Sequence, residues 1–123
     1  MTKTPDFQTL FKRLRAILKP YEAQLTLVDD QPERYYLNGH YSQRYKKELF
    51  FGSTIIQKNY VSFYLMPVYM YPELLETISP ELKKRMQGKS CFNFKTVDDR
   101  LFKELARLTA AGYRRFKREK LIG

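Results

Sequence analysis

Apolar residues recur at helical spacing near the N-terminus, crowd into short runs through the middle, and return to helical spacing at the C-terminal end. Phe7, Leu10, Phe11, Leu14, Ile17 and Leu18 form a single stripe, as expected of a helix laid on a core. Thr4-Pro5-Asp6 supplies a cap, a first-turn proline and an acid for its start, and Pro20 is expected to stop it. Gln24 to Val28 predicts a first strand, closed by Asp29-Asp30-Gln31-Pro32; Arg34 to Leu37 predicts a second, ending at the turn pair Asn38-Gly39. Glu48 to Leu65 is the centre of the pattern, with two β-branched and aromatic runs flanking Gln57-Lys58-Asn59. Such a short connector predicts an antiparallel hairpin. Leu49, Phe51 and Ile55 are expected on one face against Val61, Phe63 and Leu65, and Phe50, Ile56, Tyr60 and Tyr64 on the other. A hairpin apolar on both sides belongs inside a sheet covered twice, or covered once with an aromatic surface left for a ligand.

Beyond the hairpin, Pro67 and Pro72 predict a loop, while Leu74, Ile78, Leu82 and Met86 fall four apart on a helical segment divided at Pro80. Ser79-Pro80-Glu81 restarts that helix, Lys83-Lys84-Arg85 complements its negative end, and Gly88 closes it. Lys89 to Phe94 predicts the last strand, with Phe92 and Phe94 toward the core and Cys91 away from it. Thr96-Val97-Asp98-Asp99 opens a final helix in the manner of a capping box. Its apolar arc holds Val97, Leu101, Leu105, Leu108, Gly112 and Phe116. The order helix, sheet, short helix, strand and helix is an α+β arrangement, with an antiparallel sheet packed by the N-terminal and C-terminal helices.

Length bounds this to a single domain spanning 1–123, able to bury roughly two thirds of its unfolded surface. The N-terminus has no apolar core of a secretory signal, and Val61 to Met70, broken by Pro67, is about half the length a membrane span needs. Cys91 is the only cysteine, no Cys/His spacing suits a metal, and no cofactor is expected. A cytoplasmic protein with no membrane partner is the expectation. The net charge of +10 is uneven: residues 1 to 82 carry ten Lys/Arg against nine Asp/Glu, and residues 83 to 123 carry thirteen against four. Arg100, Lys103, Arg107, Arg114 and Arg118 fall on one strip of the last helix, opposite its apolar arc. That is either a solvated back face or the footprint of an anion-binding helix, with nucleic acid or another polyanion as its partner.

No catalytic motif is present: there is no Gly-rich phosphate loop, His-Glu-x-x-His, Gly-x-Ser-x-Gly or Cys-x-x-Cys. His40 is the single histidine, and Asp29-Asp30 and Asp98-Asp99 already serve a turn and a cap. An enzyme is therefore not expected. Eight of the ten tyrosines lie between Tyr35 and Tyr71, which fits either ordinary strand-face packing or a half-exposed aromatic surface. Tyr36, Tyr41, Phe50, Tyr60 and Tyr64 are the candidate ligand-binding residues of that sheet face. Its candidate occupants are a small ligand or a protein, a second copy in a homodimer included.

Arg44 to Phe51, Lys58 to Tyr64 and Gly88 to Phe94 resemble the YdhG-like family, a bacterial domain of unknown function. The resemblance covers roughly residues 34 to 108. Its motifs are a basic-aromatic strand entry, a Lys-x-x-aliphatic-x-Phe-Tyr strand and a Gly-Lys turn before a short strand. Where that family often carries Gly-Met-Pro-aromatic, this chain has Asn38-Gly39-His40-Tyr41. The resemblance implies a small α+β domain with a curved antiparallel sheet. One branch is described as a frataxin-like iron chaperone, a third candidate function.

Overall fold

A computed structural model describes residues 6–122. Five antiparallel strands form one sheet in chain order: β1 (Thr26–Gln31), β2 (Arg34–Ser42), β3 (Lys47–Ile56), β4 (Val61–Leu65) and β5 (Cys91–Phe94). Helix α1 (Phe7–Leu18) precedes the sheet and α4 (Asp99–Arg118) ends the chain. Both lie on the side that carries Tyr35, Leu37, Phe51, Phe63 and Phe92, each with no exposed surface. Aromatic contacts mark that layer: Phe51 meets Phe116 at 6.0 Å between centroids, and Phe94 meets Phe102 edge-on at 5.0 Å. The edge-to-face geometry is the one ring quadrupoles favour. The α+β architecture read from the sequence holds.

The apolar stripe of α1 is buried at Leu10, Phe11, Leu14 and Leu18. Asp6 caps the helix by accepting from the Thr9 amide at 3.0 Å; Thr4 and Pro5, the expected cap and first-turn proline, lie outside the described residues. Pro20 diverts the chain into a 3-10 turn, Lys19–Gln24, without ending it abruptly. Between β4 and β5, where a loop was expected at Pro67, the chain forms α2 (Met66–Met70), a 3-10 turn (Pro72–Thr77) and α3 (Pro80–Lys83). Proline is tolerated in each because it occupies a first-turn position, where its missing N–H costs nothing. Ser79 caps α3 as expected, accepting from the Leu82 amide at 3.2 Å. In α4 the cap is Asp98, which accepts from the Leu101 amide at 3.1 Å, and not Thr96; Val97 therefore lies outside the helix and is exposed.

Two departures come from bulges. The antiparallel hairpin forms as expected, with Ile56 opposite Val61 and Thr54 opposite Phe63. The register against β2, however, shifts between Leu37–Gly52 and Asn38–Phe50, leaving Phe51 as the additional residue. An extra residue reverses the alternation beyond it. Ile55 consequently shares a row with Ser62, away from the helices, and Ile56 pairs with the buried Val61. This exchanges the faces expected for the two isoleucines. Similarly, Asn38-Gly39 is no turn: β2 runs on to Ser42. Gly39 is small for another reason, since a Cβ there would lie 2.6 Å from Ile122 Cγ2.

That contact belongs to a lock at the C-terminus. Lys120 adopts a left-handed φ of 60°, its amide donates to the Lys117 carbonyl, and the Leu121 amide donates to the Phe116 carbonyl. These two bonds are the Schellman pattern, and Leu121 and Phe116 make its apolar contact. Leu121 and Ile122 are both buried. A non-glycine left-handed residue is strained by roughly 1–2 kcal/mol. Lys120→Gly is expected to raise stability by about 1 kcal/mol, and Leu121→Ala to lower it by roughly 2–4 kcal/mol. Chemical denaturation of the two variants checks both signs; an unchanged midpoint for Leu121→Ala would mean the tail is not docked.

Candidate helix-free face of the sheet

The opposite face of the sheet is built by cross-strand rows. One row runs Tyr36–Ser53–Tyr64–Cys91, and the next runs Arg34–Ile55–Ser62–Asn93. Phe50 stands beside Asn38 above the first row. Tyr60 precedes the core residue Val61 and Lys95 follows the core residue Phe94, which turns both toward this face. The face widens beyond β5. Met86 bridges to Phe92, the Asn93 amide donates to the Arg85 carbonyl, and the Gln87 amide donates to the Cys91 carbonyl. Met86 packs on the core, so Arg85 and Gln87 on either side of it extend the helix-free rows.

Tyr36, Phe50, Tyr60 and Tyr64 are each half-buried. Tyr36 stacks on Phe50 at 4.7 Å between centroids, and the Arg34 guanidinium sits 5.0 Å from the Tyr36 ring. Ser53 and Ser62, small residues between larger ones, are covered. A polar relay crosses the second row: Ser62 Oγ donates to Asn93 Oδ1 at 2.7 Å, and Asn93 Nδ2 donates to Gln87 Oε1 at 2.7 Å. Cys91 Sγ joins it at 3.3 Å from Asn93 Oδ1, and burial pushes its thiol pKa upward, keeping the sulfur neutral. Burial likewise raises the Tyr64 phenol. Asn38 Oδ1, beside Phe50, is buried without a hydrogen-bond partner among the described residues.

Of the residues expected for an aromatic face, Tyr36, Phe50, Tyr60 and Tyr64 come together. Tyr41 does not: it follows a second irregularity in β2, is 57% exposed, and lines a separate depression with Arg44 and the docked tail. Arg34, Ser62, Arg85, Gln87 and Asn93 were not singled out from the sequence. Tyr60-Val61-Ser62 carried the alternation that would place Ser62, but nothing local signals that residues 85–87 align against β5.

The helical side carries the expected cationic strip. Arg100, Lys103, Arg107, Arg114 and Arg118 are all exposed on α4. Acids interrupt it. Glu104 lies near Arg100 and Arg107, accepts from the Ser79 hydroxyl at 2.7 Å and its amide at 2.8 Å, and has its pKa lowered chiefly by those bonds. Asp99 pairs with Arg13 across α1 and α4, and Arg118 reaches Glu119 at 3.8 Å. A shallow cleft between these helices is lined by Arg13, Ile17, Tyr21 and Phe102.

Among the described residues no group of three or more His, Cys, Asp or Glu is placed to hold a metal ion, and no helix is long and apolar enough to cross a membrane. Comparison of the chain with protein-family models, curated proteins and solved structures returns no match.

The Glu104 bonds set a pH dependence. A carboxylate held below its ordinary value of 4.5 stabilises the fold above that pH, and the contribution is lost as pH falls through the folded-state value. Glu104→Gln is therefore expected to lower the denaturation midpoint more at pH 7 than at an acid pH below the folded-state value. An equal loss at both pH values would assign the effect to packing alone.

Proposed function

We propose that this chain is a non-enzymatic binding module whose recognition surface is the helix-free face of the sheet. The observation that carries this reading is the grouping of Tyr36, Phe50, Tyr60 and Tyr64 on the one side of the sheet that α1 and α4 leave uncovered. Side chains of this type gain from a partner that buries their rings and bonds their hydroxyls.

A binding role also fits the reactive residues. Cys91 is a neutral thiol tied into the Asn93 relay, and His40 stands at the exposed end of β2, with β3 and β4 between their strands. Nucleophilic catalysis needs such groups within hydrogen-bond reach. We read the chain as a YdhG-like domain of the bacterial cytoplasm. The segments carrying that resemblance contribute Phe50, Tyr60, Ser62, Tyr64, Cys91 and Asn93 to this face. The exposed cations of α4 favour a second reading, polyanion binding on the helical side.

Protein-observed NMR with a library of aromatic and anionic fragments tests the first reading. Hits are expected to shift the amides of β2 to β5 around Tyr36, Tyr60 and Tyr64, and Tyr60→Ala with Tyr64→Ala to weaken them at least tenfold, the scale of a lost aromatic contact. Hits confined to the cleft between α1 and α4 would refute it.

A further inference from the structure

One corner of the helix-free face is cationic. Tyr60, Lys84, Arg85, Gln87, Asn93 and Lys95 line a depression of about 310 Å³. Three of its lining residues are cations and none is a carboxylate. Among the described residues Lys84, Arg85 and Lys95 form no salt bridge. On α4, by contrast, Glu104 lies among the arginines, and Asp99 and Glu119 flank the strip. Uncompensated cations held close together repel one another, and an anion relieves that cost.

The polar groups of the depression are directed as well as charged. Gln87 accepts from Asn93 through Oε1, and Asn93 is itself fixed by Ser62. That bond fixes which end of the Gln87 amide is the oxygen and leaves its two N–H donors free for a ligand. Tyr60 forms the wall of this depression, and Tyr64 lies on the same side of β4. Neither ring has an aromatic partner or a cation over it among the described residues. Both are free to take a flat group. Tyr60, just before β4, and Tyr64, within it, stand four residues apart, about 13 Å, with Tyr36 two strands from Tyr64, about 10 Å further. That spread exceeds the reach of one nucleotide.

We infer that this corner binds single-stranded nucleic acid, with backbone phosphates on Lys84, Arg85 and Lys95 and two bases of the strand, not adjacent ones, on Tyr60 and Tyr64. The inference rests on the helix-free face being the binding surface. Cations beside unpaired rings on an open sheet are the arrangement that holds unstacked bases and their phosphates together. A duplex keeps its bases stacked inside and offers these rings nothing. The occupant is therefore a strand.

Fluorescence anisotropy of a labelled mixed-sequence 12-mer, single-stranded and as its duplex, tests this at low and physiological salt. The strand is expected to bind more tightly than the duplex. Three phosphate contacts give a salt slope of about 2, so affinity falls roughly twentyfold between 50 and 200 mM salt. Reversing Lys84, Arg85 and Lys95 to Glu is expected to abolish binding and its salt dependence. Tyr60→Ala is expected to weaken it about tenfold and Tyr60→Phe to restore it. The reversed side chains are exposed, and circular dichroism of each variant confirms folding. Arg107→Glu with Arg114→Glu is expected to leave strand binding within twofold. Loss in that helix variant with retention in the face variant would overturn the inference and move the polyanion to α4. Equal binding of strand and duplex would overturn it too. No strand binding at low salt would overturn this inference alone, because the recognition surface itself is decided by the fragment mapping.

Discussion

The two-layer packing of α1 and α4 against one face of the sheet is the constraint on which the rest depends. Tyr35, Leu37, Phe51, Phe63, Phe92, Leu105 and Phe116 have no exposed surface, and each large apolar side chain so buried contributes roughly 1.5–3 kcal/mol relative to exposure. Tyr35 carries a hydroxyl into this layer, satisfied by donating to Glu22 at 2.8 Å. Close approach is needed throughout: α4 passes α2 at Gly112, where a Cβ would meet Pro67 at 2.8 Å. The tail then returns to seal the far end through Leu121 and Ile122. Because all of this burial lies on one side, the other side of a sheet rich in aromatic residues is left without a covering layer.

The Phe51–Gly52 bulge links the two faces. It places two consecutive residues of β3 toward the helices and resets the alternation beyond them. Without it Ile56 would leave the core and Ile55 would enter it. With it, Ile55, Ser62 and Asn93 form one continuous row, to which the strand-like segment at residues 85–87 adds Arg85 and Gln87. The composition of the helix-free face is thus a consequence of how the core solves its register.

Much of this was legible in the amino-acid pattern. The helical stripes, the hairpin, the Ser79 cap and the outward Cys91 follow from local periodicity and capping chemistry, which adjacent residues determine. So do four of the five aromatic residues assigned to the sheet face. What escaped depends on distant contacts. Gly39 reads as half of a turn until Ile122 is seen occupying the space beside it. The bulge in β3 is set by pairing with β2, and a second irregularity, between Asn38 and Tyr41, places Tyr41 opposite Glu48, beyond the four grouped rings. The cationic corner is split between residues 84–87 and Lys95 and becomes a unit only when that segment aligns against β5. The strip on α4 was easier to read because one helix presents it, and its interruption by Glu104 is visible only beside Ser79.

The most direct measurement is the solvent accessibility of the two faces, read by NMR paramagnetic relaxation from a neutral gadolinium chelate. The account expects strong relaxation of the Tyr60 and Tyr64 rings, the Ile55 methyls and the Gln87 side-chain amide. The Tyr35, Phe63 and Phe92 rings, on the same strands but facing α1 and α4, should be protected. Equal protection of both sets at every protein concentration would contradict it, because the face assigned to recognition would then be closed by the chain itself.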